Sequence, residues 1–415
     1  MQTGTRVATS VPQWATGRRF SVLDAWRGVC ALLVTIVHIP VAHRFQETVG
    51  FANMQMFVDF FFVLSGFVMC HAYGQSLKDE RAFEGFMIRR FGRIYPLHLV
   101  MIAGFVALEL IKLGAAAFLG MGMEGEPFSG PRSPDSLLTN LLLLQSFNLH
   151  GMTTWNGPAW SIGVEFYAYI VFAGAVLFAG MRTALFAALA VVGLAGLVAF
   201  SPDYIFTTHD YGFLRCLYGF FVGCLVYQAV MRRGAGRFAG TALETAVVVL
   251  LIAFMVLAGK TPVSLAAPVV FAVVVYVFAF EKGLFSRLLE TAPAQALGLW
   301  SYSIYMVHML IFSAEKMVFA LIAKKGLLGF AIVTTPTAKL WTFNNAALDG
   351  ALIASQIVLT LIVSKLTYDW IEDPWRKRFA ALARRHEGEA RPMAPAPATR
   401  GGPQTLRIAR GLGAR

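Results

Sequence analysis

The stretch VLDAWRGVCALLVTIVHIPVA, residues 22–42, is the first of several long apolar runs in this 415-residue chain. Its length is that of a helix that crosses a lipid bilayer, which needs about 20 apolar residues. It nevertheless contains Arg27 and His38. An ionisable side chain at membrane depth is costly unless it faces protein or water, so both residues are candidates for a functional role.

Arg27 and His38 are eleven positions apart. At about 100° per residue, both side chains lie on one face of a helix, about 16 Å apart along its axis. A guanidinium group binds anions, whereas an imidazole with an ordinary pKa of about 6.5 can accept a proton from a hydroxyl group. The pair therefore suits a group transfer. The alternative for His38 is a hydrogen-bonded packing residue.

The composition excludes an ordinary water-soluble domain. Hydrophobic residues make up 57% of the chain, charged residues 14%, and the mean hydropathy is +0.63. These values indicate a polytopic membrane protein. Runs of about 20 apolar residues give ten predicted spans. The spans are residues 22–42, 51–72, 94–114, 159–180, 183–200, 213–231, 243–259, 263–280, 299–322 and 349–370.

The predicted fold class is therefore all-α: a polytopic membrane helix bundle of about ten transmembrane helices, with both termini in the cytoplasm. Short cytoplasmic loops should hold most of the 35 Lys and Arg residues. In this topology few basic residues fall on outer loops, namely Arg44, Arg132, Lys260, Lys324, Lys325 and Lys339. The net charge of +12 then indicates a basic surface near anionic lipid and does not imply nucleic-acid binding.

Three regions follow from the spans. Residues 1–21 form a predicted cytoplasmic N-terminal segment, residues 22–375 the transmembrane domain, and residues 376–415 a basic cytoplasmic tail. The tail is rich in Pro, Ala, Gly and Arg, which favours disorder. All four cysteines fall in predicted spans, so a disulfide framework is not expected. They are Cys30, Cys70, Cys216 and Cys224.

Three arginines, Arg89, Arg90 and Arg93, stand in IRRFGRIYPLH at the predicted cytoplasmic entrance to the third span. Positions 90 and 93 are neighbours on a helix surface, near a helix start where backbone N–H groups favour anions. Arginine also binds phosphate in a bidentate manner. The cluster therefore predicts an anion site, with simple anchoring at the membrane surface as the alternative.

Two acids, Asp59 and Glu165, lie in the outer parts of their predicted spans. Either could hydrogen-bond to His38 and set its tautomer, or position an acceptor. The alternative is a structural ion pair, with Arg215 as a candidate partner. For Arg215 and His308, interhelical packing is as well supported as a functional role.

Six segments extend these observations along the chain. They are LDAWRGVCALLVTIVHIP, MFVDFFFVLSGFVM, RRFGRIYPLH, GPAWSIGVEFYAY, WSYSIYMVH and YDWIEDPWRK. Each is weakly specific alone, but in this order they resemble the membrane acyltransferase 3 family of O-acetyltransferase-like enzymes. One departure is Gly163, where the family usually has a polar residue. We expect the chain to act without the fused extracytoplasmic domain of some members, alone or with a separate partner.

The resemblance implies a ten-helix bundle that moves an acyl group, usually acetyl, from cytosolic acyl-CoA to a hydroxyl group, often on a cell-surface polysaccharide. It also implies functional roles for the Arg27 and His38 pair and the Arg90 and Arg93 pair. The predicted catalytic residues are His38, Arg27, Glu165 and Asp59. The predicted acyl-CoA-binding residues are Arg89, Arg90 and Arg93. Residues that could contact the acceptor or support the site are Trp160, Tyr302, His308 and Arg215.

In the expected mechanism, Arg90 and Arg93 bind coenzyme A phosphates, Arg27 guides the thioester, and His38 acts as general base or forms an acyl intermediate. We expect no permanently bound cofactor and no metal site, with acyl-CoA as co-substrate and membrane lipids as neighbours. The expected location is the bacterial plasma membrane. The acceptor stays open among surface polysaccharides, peptidoglycan, oligosaccharides and small hydrophobic natural products.

Two other function classes fit ten spans with buried charges. One is a carrier or exporter of a lipid-linked sugar or small anion, with Arg27 and His38 along its route. The other is a structural or sensory membrane protein in which these groups form an internal ion network. Stabilisation by coenzyme A would separate an acyltransferase from a carrier.

Overall fold

The computed structural model describes residues 18–43, 46, 48, 50–119, 125–233, 240–324, 331–334 and 339–388. Helices dominate this part of the chain. They are α1 (Ser21–Val37), α2 (Phe57–Tyr73), α3 (Glu80–Leu119), α4 (Pro134–Leu141), α5 (Ala159–Ala179), α6 (Thr183–Phe200), α7 (Gly212–Arg233), α8 (Thr241–Leu257), α9 (Ala267–Phe278), α10 (Leu284–Leu289), α11 (Ala292–Lys324), α12 (Ala346–Thr367) and α13 (Asp373–His386). A π-helical turn, Tyr368–Glu372, joins the last two.

Each of the ten predicted spans coincides with one helix, and α4, α10 and α13 are additional. Among the described residues, seven helices are long and apolar enough to cross a membrane: α2, α3, α5, α6, α7, α11 and α12. This confirms the predicted helical membrane bundle. Helix α2 reaches this length because the 3-10 turn Ala52–Met56 precedes it and extends the helical segment to 22 residues. Helices α1, α8 and α9 have 17, 17 and 12 residues, so membrane crossing by these three stays a prediction.

The bundle has two ends, which we name after their features. The arginine end carries the connection from α2 to α3 together with α13. At this end, His71 Nε2 donates a hydrogen bond to the carbonyl of Arg18 (2.9 Å), and Arg89 binds Glu387. Both termini of the described chain therefore lie at the same end, as the predicted topology requires. That this end faces the cytoplasm stays a prediction.

The opposite, hairpin end carries two strands, β1 (Ala331–Thr334) and β2 (Lys339–Thr342), paired antiparallel with Ile332 opposite Trp341. Strand β2 also pairs with the chain just after α1. The Trp341 N–H donates to the Pro40 carbonyl, and the Ala42 N–H donates to the Trp341 carbonyl, both at 2.8 Å. The hairpin, which the all-α prediction omits, fastens the end of α1 to the connection between α11 and α12.

Glycines allow the central helices to approach one another closely. A Cβ at Gly28 of α1 would lie 2.3 Å from the backbone of Leu297 in α11. A Cβ at Gly66 of α2 would lie 1.8 Å from the carbonyl oxygen of Phe220 in α7. Small residues at helix contacts are typical of membrane bundles. These contacts place α1 against α11 and α2 against α7, which positions the site described below.

The prediction of a disordered tail over residues 376–415 is wrong for residues 376–386, which continue α13. The amino-acid composition of this segment does not reveal that it forms an amphipathic helix. Phe379 and Ala383 lie four positions apart on one face of this helix. Ala383 is fully buried, and Phe379 packs against Gly92 of α3. Residues 389–415, like residues 1–17, lie outside the described residues.

Candidate active site

A cavity lies between α1, α2, α3, α5 and α11. We call it the central cavity. Phenylalanine, leucine, isoleucine, valine and methionine form its apolar walls. Its polar lining residues are Arg27, Ser65, Arg90, Arg93, Ser161, Glu165, Tyr169, Ser301, Tyr302 and Tyr305. Five of the predicted site residues therefore meet here: Arg27, Arg90, Arg93, Glu165 and Tyr302.

Arg27 enters the central cavity from α1. Its Nε donates a hydrogen bond to Ser301 Oγ (2.9 Å) on α11, and its Nη2 donates to Asp24 Oδ1 (3.0 Å) one turn earlier on α1. The side chain is about one quarter exposed. Arg27 is thus held in place and contributes positive charge to the cavity wall.

Arg93 is fixed by a carboxylate from the far end of the chain. Its Nη1 donates to Glu372 Oε1 in the π-helical turn, and Ser303 Oγ donates to the other carboxylate oxygen at 2.8 Å. The guanidinium carbon of Arg93 also lies 5.5 Å from the ring centroid of Tyr302. The side chain of Glu372 has no exposure. This ion pair ties α3 to the end of α12 and satisfies the charge of Arg93.

Arg90 has a different environment. Its Nη2 donates to the Tyr73 hydroxyl at 3.2 Å, and its guanidinium carbon lies 5.3 Å and 5.8 Å from the ring centroids of Tyr73 and Tyr169. Among the described residues no carboxylate forms an ion pair with Arg90, and its Nε is buried without a hydrogen-bond partner. A buried donor without a partner costs about 1–3 kcal/mol. Arg90 can therefore gain free energy by binding an anionic ligand.

Glu165 supplies the carboxylate of the central cavity. Its Oε1 accepts hydrogen bonds from Ser65 Oγ and from the Tyr169 hydroxyl, the latter at 2.6 Å. No arginine, lysine or histidine of the described chain pairs with it. Gly163, two positions earlier, packs against the Leu143 carbonyl, where a Cβ would lie only 2.7 Å from the oxygen. Ser65 and Tyr169 thus hold the carboxylate in a fixed orientation toward the cavity.

His38 does not line the central cavity. It is the residue that ends α1, and its Nδ1 donates a hydrogen bond to the Val34 carbonyl at 2.7 Å. A neutral ring that donates through Nδ1 carries its lone pair on Nε2, so the geometry assigns Nε2 as the basic nitrogen. Its ring centroid lies 5.3 Å from that of His308, which in turn lies 6.1 Å from that of Tyr305. Tyr305, His308 and His38 therefore form a row from the cavity wall toward the hairpin end.

Neither predicted acid hydrogen-bonds to His38. Asp59 faces α7 instead, where Arg215 donates to both its carboxylate oxygens at 2.9 Å and 2.7 Å. Arg215 also donates to the Thr207 carbonyl (3.0 Å), and its guanidinium carbon lies 5.1 Å from the ring centroid of Trp160. The two charged side chains are 0% and 2% exposed. Asp59 therefore forms a structural ion pair with Arg215, which was the alternative to a hydrogen bond with His38.

Arg89 lies apart from Arg90 and Arg93. Adjacent helical residues project about 100° apart, so Arg89 faces away from the central cavity. It forms two hydrogen bonds with the carboxylate of Glu387, the residue after α13. The structure thus divides the predicted arginine cluster between two places.

Sequence reasoning missed several residues that shape the site. Glu372 stands in the quoted segment YDWIEDPWRK, but its role as the partner of Arg93 was not predicted. Ser65 is a polar residue in an apolar span, and Tyr169 follows Glu165 by one helical turn. Both patterns are signals that could have identified the hydrogen-bond donors of Glu165.

Comparison with known proteins adds independent findings. The acyltransferase domain family, which is the acyltransferase 3 family named above, matches residues 20–363. Protein 2 in the picA locus of Rhizobium radiobacter is 34% identical over 168 residues, which cover 37% of this chain and 81% of that protein. Acyltransferase MdmB of Streptomyces mycarofaciens is 33% identical over 166 residues, which cover 37% of this chain and 38% of that protein. No solved structure matches significantly.

Proposed function

Since this chain belongs to the acyltransferase 3 family, we propose that it is an acyl-CoA-dependent membrane O-acyltransferase. The acyl group, acetyl in the usual family reaction, passes from acyl-CoA to a hydroxyl group of a carbohydrate-type acceptor such as a cell-surface polysaccharide. The membrane is the bacterial plasma membrane, with the arginine end toward the cytoplasm.

The environment of Arg90 carries this proposal. A guanidinium group in a cavity, with a buried donor and no carboxylate of its own, suits a ligand with oxyanions that accept paired hydrogen bonds. Arg93 and Arg27 already have acidic neighbours, so they shape the cavity, and Arg90 supplies its positive charge without a carboxylate partner. An acyl-CoA donor supplies phosphate groups for Arg90 and a thioester for the deeper part of the cavity.

His38 is the proposed general base. Its Nε2 accepts the proton of the acceptor hydroxyl while the hydroxyl oxygen attacks the carbonyl carbon of the thioester. The carbon–sulfur bond then breaks, and coenzyme A leaves as a thiolate that takes up the proton held by His38 Nε2, which restores the neutral base. The hydrogen bond from Nδ1 to Val34 supports this role because it keeps the lone pair on Nε2. The donor reaches His38 along Tyr305 and His308, and the acceptor arrives from the hairpin end.

The test is acyl transfer by the purified protein in proteoliposomes supplied with acetyl-CoA and a hydroxyl acceptor. We expect His38→Ala to lower the rate by about 10²- to 10⁴-fold, the usual contribution of a general base. The control is His209→Ala, because His209 lies in the connection between α6 and α7, outside the cavity lining. Transfer by His38→Ala at the rate of the unmodified protein would refute the role of this histidine.

A carrier is distinguished by ligand stabilisation, because a ligand that binds the folded protein raises its melting temperature. We expect acetyl-CoA to raise the melting temperature of the unmodified protein and to have a much smaller effect on Arg90→Gln. A protein that candidate transported solutes stabilise, and that acetyl-CoA does not, would support the carrier instead.

A further inference from the structure

A second cavity opens at the arginine end. We call it the vestibule. Its charged and aromatic lining residues are Tyr73, Asp79, Arg81, Arg89 and Glu387, and the Asp79 carboxylate accepts a hydrogen bond from the Ala82 N–H at 2.9 Å. Tyr73 also receives the hydrogen bond from Arg90, which lines the central cavity. Tyr73 therefore connects the lining of the vestibule with the lining of the central cavity.

The carboxylate of Glu387 forms an ion pair with Arg89 within the vestibule. Arg89 Nη1 donates to Glu387 Oε1 at 2.6 Å, and Nη2 donates to Oε2. The two side chains are 21% and 17% exposed, so the pair is largely shielded from water. This paired geometry is the one that arginine also uses to bind phosphate. Glu387 thus fills a place that a phosphate group would fit.

The helix end that carries Glu387 does not favour a carboxylate. Glu387 follows the last residue of α13, and the last turn of that helix holds Arg384, Arg385 and His386. The negative end of a helix dipole favours cations there and disfavours anions. Glu387 therefore depends on Arg89 for its placement, and a stronger anion at Arg89 can displace it.

Gly85 of α3 makes room for this carboxylate. A Cβ at Gly85 would lie 2.0 Å from Glu387 Oε1. Gly92 lies two turns further along the same face of α3, where it contacts Phe379 of α13. The contact at Gly85 involves only the end of a flexible side chain, so a methyl group there would displace Glu387 and leave the packing of Phe379 intact.

We propose that Arg89 is a phosphate subsite for the nucleotide part of the acyl-CoA donor, and that Glu387 covers this subsite until the donor binds. The inference rests on the proposed function, because it extends the donor site from the central cavity into the vestibule. The acyl group and its arm lie in the central cavity, with one phosphate group of the donor at Arg90. The remaining phosphate groups, on the nucleotide part, lie in the vestibule, where they displace Glu387 from Arg89 and gain Arg81 as a second cationic neighbour.

The test compares acetyl-CoA with acetyl-pantetheine, which carries the same thioester without the nucleotide phosphates. We expect Glu387→Gln to lower the KM for acetyl-CoA about three- to tenfold, because the subsite is then uncovered, and to leave the KM for acetyl-pantetheine unchanged. Gly85→Ala should act in the same direction by a steric route. Arg89→Gln should raise the KM for acetyl-CoA alone.

Glu84→Gln is the matched control, because Glu84 pairs with His386 at the same helix contact but does not line the vestibule. It should change neither KM. An unmodified protein that uses acetyl-CoA, together with a Glu387→Gln variant whose two KM values are unchanged or shift equally, would overturn the phosphate subsite and leave the acyltransferase proposal standing. Failure of the unmodified protein to bind or use either donor would overturn both.

Discussion

Two arginines of this bundle differ in whether a carboxylate pairs with them. Arg215 is buried against Asp59, Thr207 and Trp160, and its charge is satisfied within the fold. Arg90 lies in the central cavity, where among the described residues no carboxylate pairs with it and its Nε lacks a partner. The protein thus supplies all the polar partners of Arg215, whereas it leaves Arg90 with an unsatisfied donor.

The difference separates structural charge from functional charge. A buried ion pair contributes little to net stability, but loss of one partner leaves an uncompensated charge. An incompletely satisfied cation lowers stability slightly and gains free energy when a ligand arrives. Substitution of Arg215 should therefore harm folding, whereas substitution of Arg90 should harm ligand binding.

The largest effect is expected for Arg215→Met. It leaves the Asp59 carboxylate buried without its cation, which should lower the free energy of unfolding by about 3–5 kcal/mol. Thermal unfolding in detergent would measure the loss. The double variant Asp59→Leu with Arg215→Met should recover most of it, because two apolar side chains leave no charge behind. An Arg215→Met protein as stable as the unmodified one would remove the contrast with Arg90.

Arg93→Met should also affect folding, although less. Glu372 would lose its ion-pair partner and keep only the hydrogen bond from Ser303, at an expected cost of about 2–3 kcal/mol. Combining it with Glu372→Gln should restore much of the melting temperature, because the amide is neutral. If Arg93→Met weakens acetyl-CoA binding at unchanged stability, Arg93 belongs with Arg90 as a ligand contact.

Arg90→Met should leave the melting temperature of the ligand-free protein nearly unchanged. We expect it to weaken acetyl-CoA binding about tenfold or more, which corresponds to about 1.4 kcal/mol. Isothermal titration calorimetry is the measurement, with Arg232→Met as a control for the effect of altering an arginine elsewhere in the bundle, because Arg232 lies at the exposed end of α7. Equal affinity in the unmodified and Arg90→Met proteins would contradict the assignment.

The smallest effect is expected for Ser65→Ala. It removes one of the two hydrogen bonds to Glu165 Oε1, worth about 1 kcal/mol, and should lower kcat/KM about fivefold if the orientation of Glu165 matters. Ser355→Ala, on the exposed side of α12, is the matched control. An unchanged kcat/KM would show that Tyr169 alone suffices to orient the carboxylate.

The helices were predictable from the sequence because a membrane span needs a long apolar run, and such runs are visible directly. Arg27, Arg90, Arg93 and Glu165 line one cavity, and their roles in binding and catalysis stay predictions. The hairpin was not predictable in this way, because β1 and β2 are only four residues each.

Side-chain partners were harder to predict than helices. Arg93 binds Glu372 across 279 positions of the sequence, and local spacing contains no information about that contact. Arg89 and Arg90 are adjacent in sequence but face different cavities, because the rotation of α3 is set by its packing against α13 and α5. The partners of Asp59 and His38 were equally hard to predict, because they depend on which neighbouring helix each side chain faces.

The π-helical turn at Tyr368–Glu372 has a practical consequence for the design of shorter proteins. The family match ends at residue 363, but Glu372 lies beyond it. An expression fragment trimmed to the matched range would thus contain Arg93 without its carboxylate. The sequence match ends at residue 363, whereas the folded bundle needs the chain at least as far as Glu372, which pairs with Arg93.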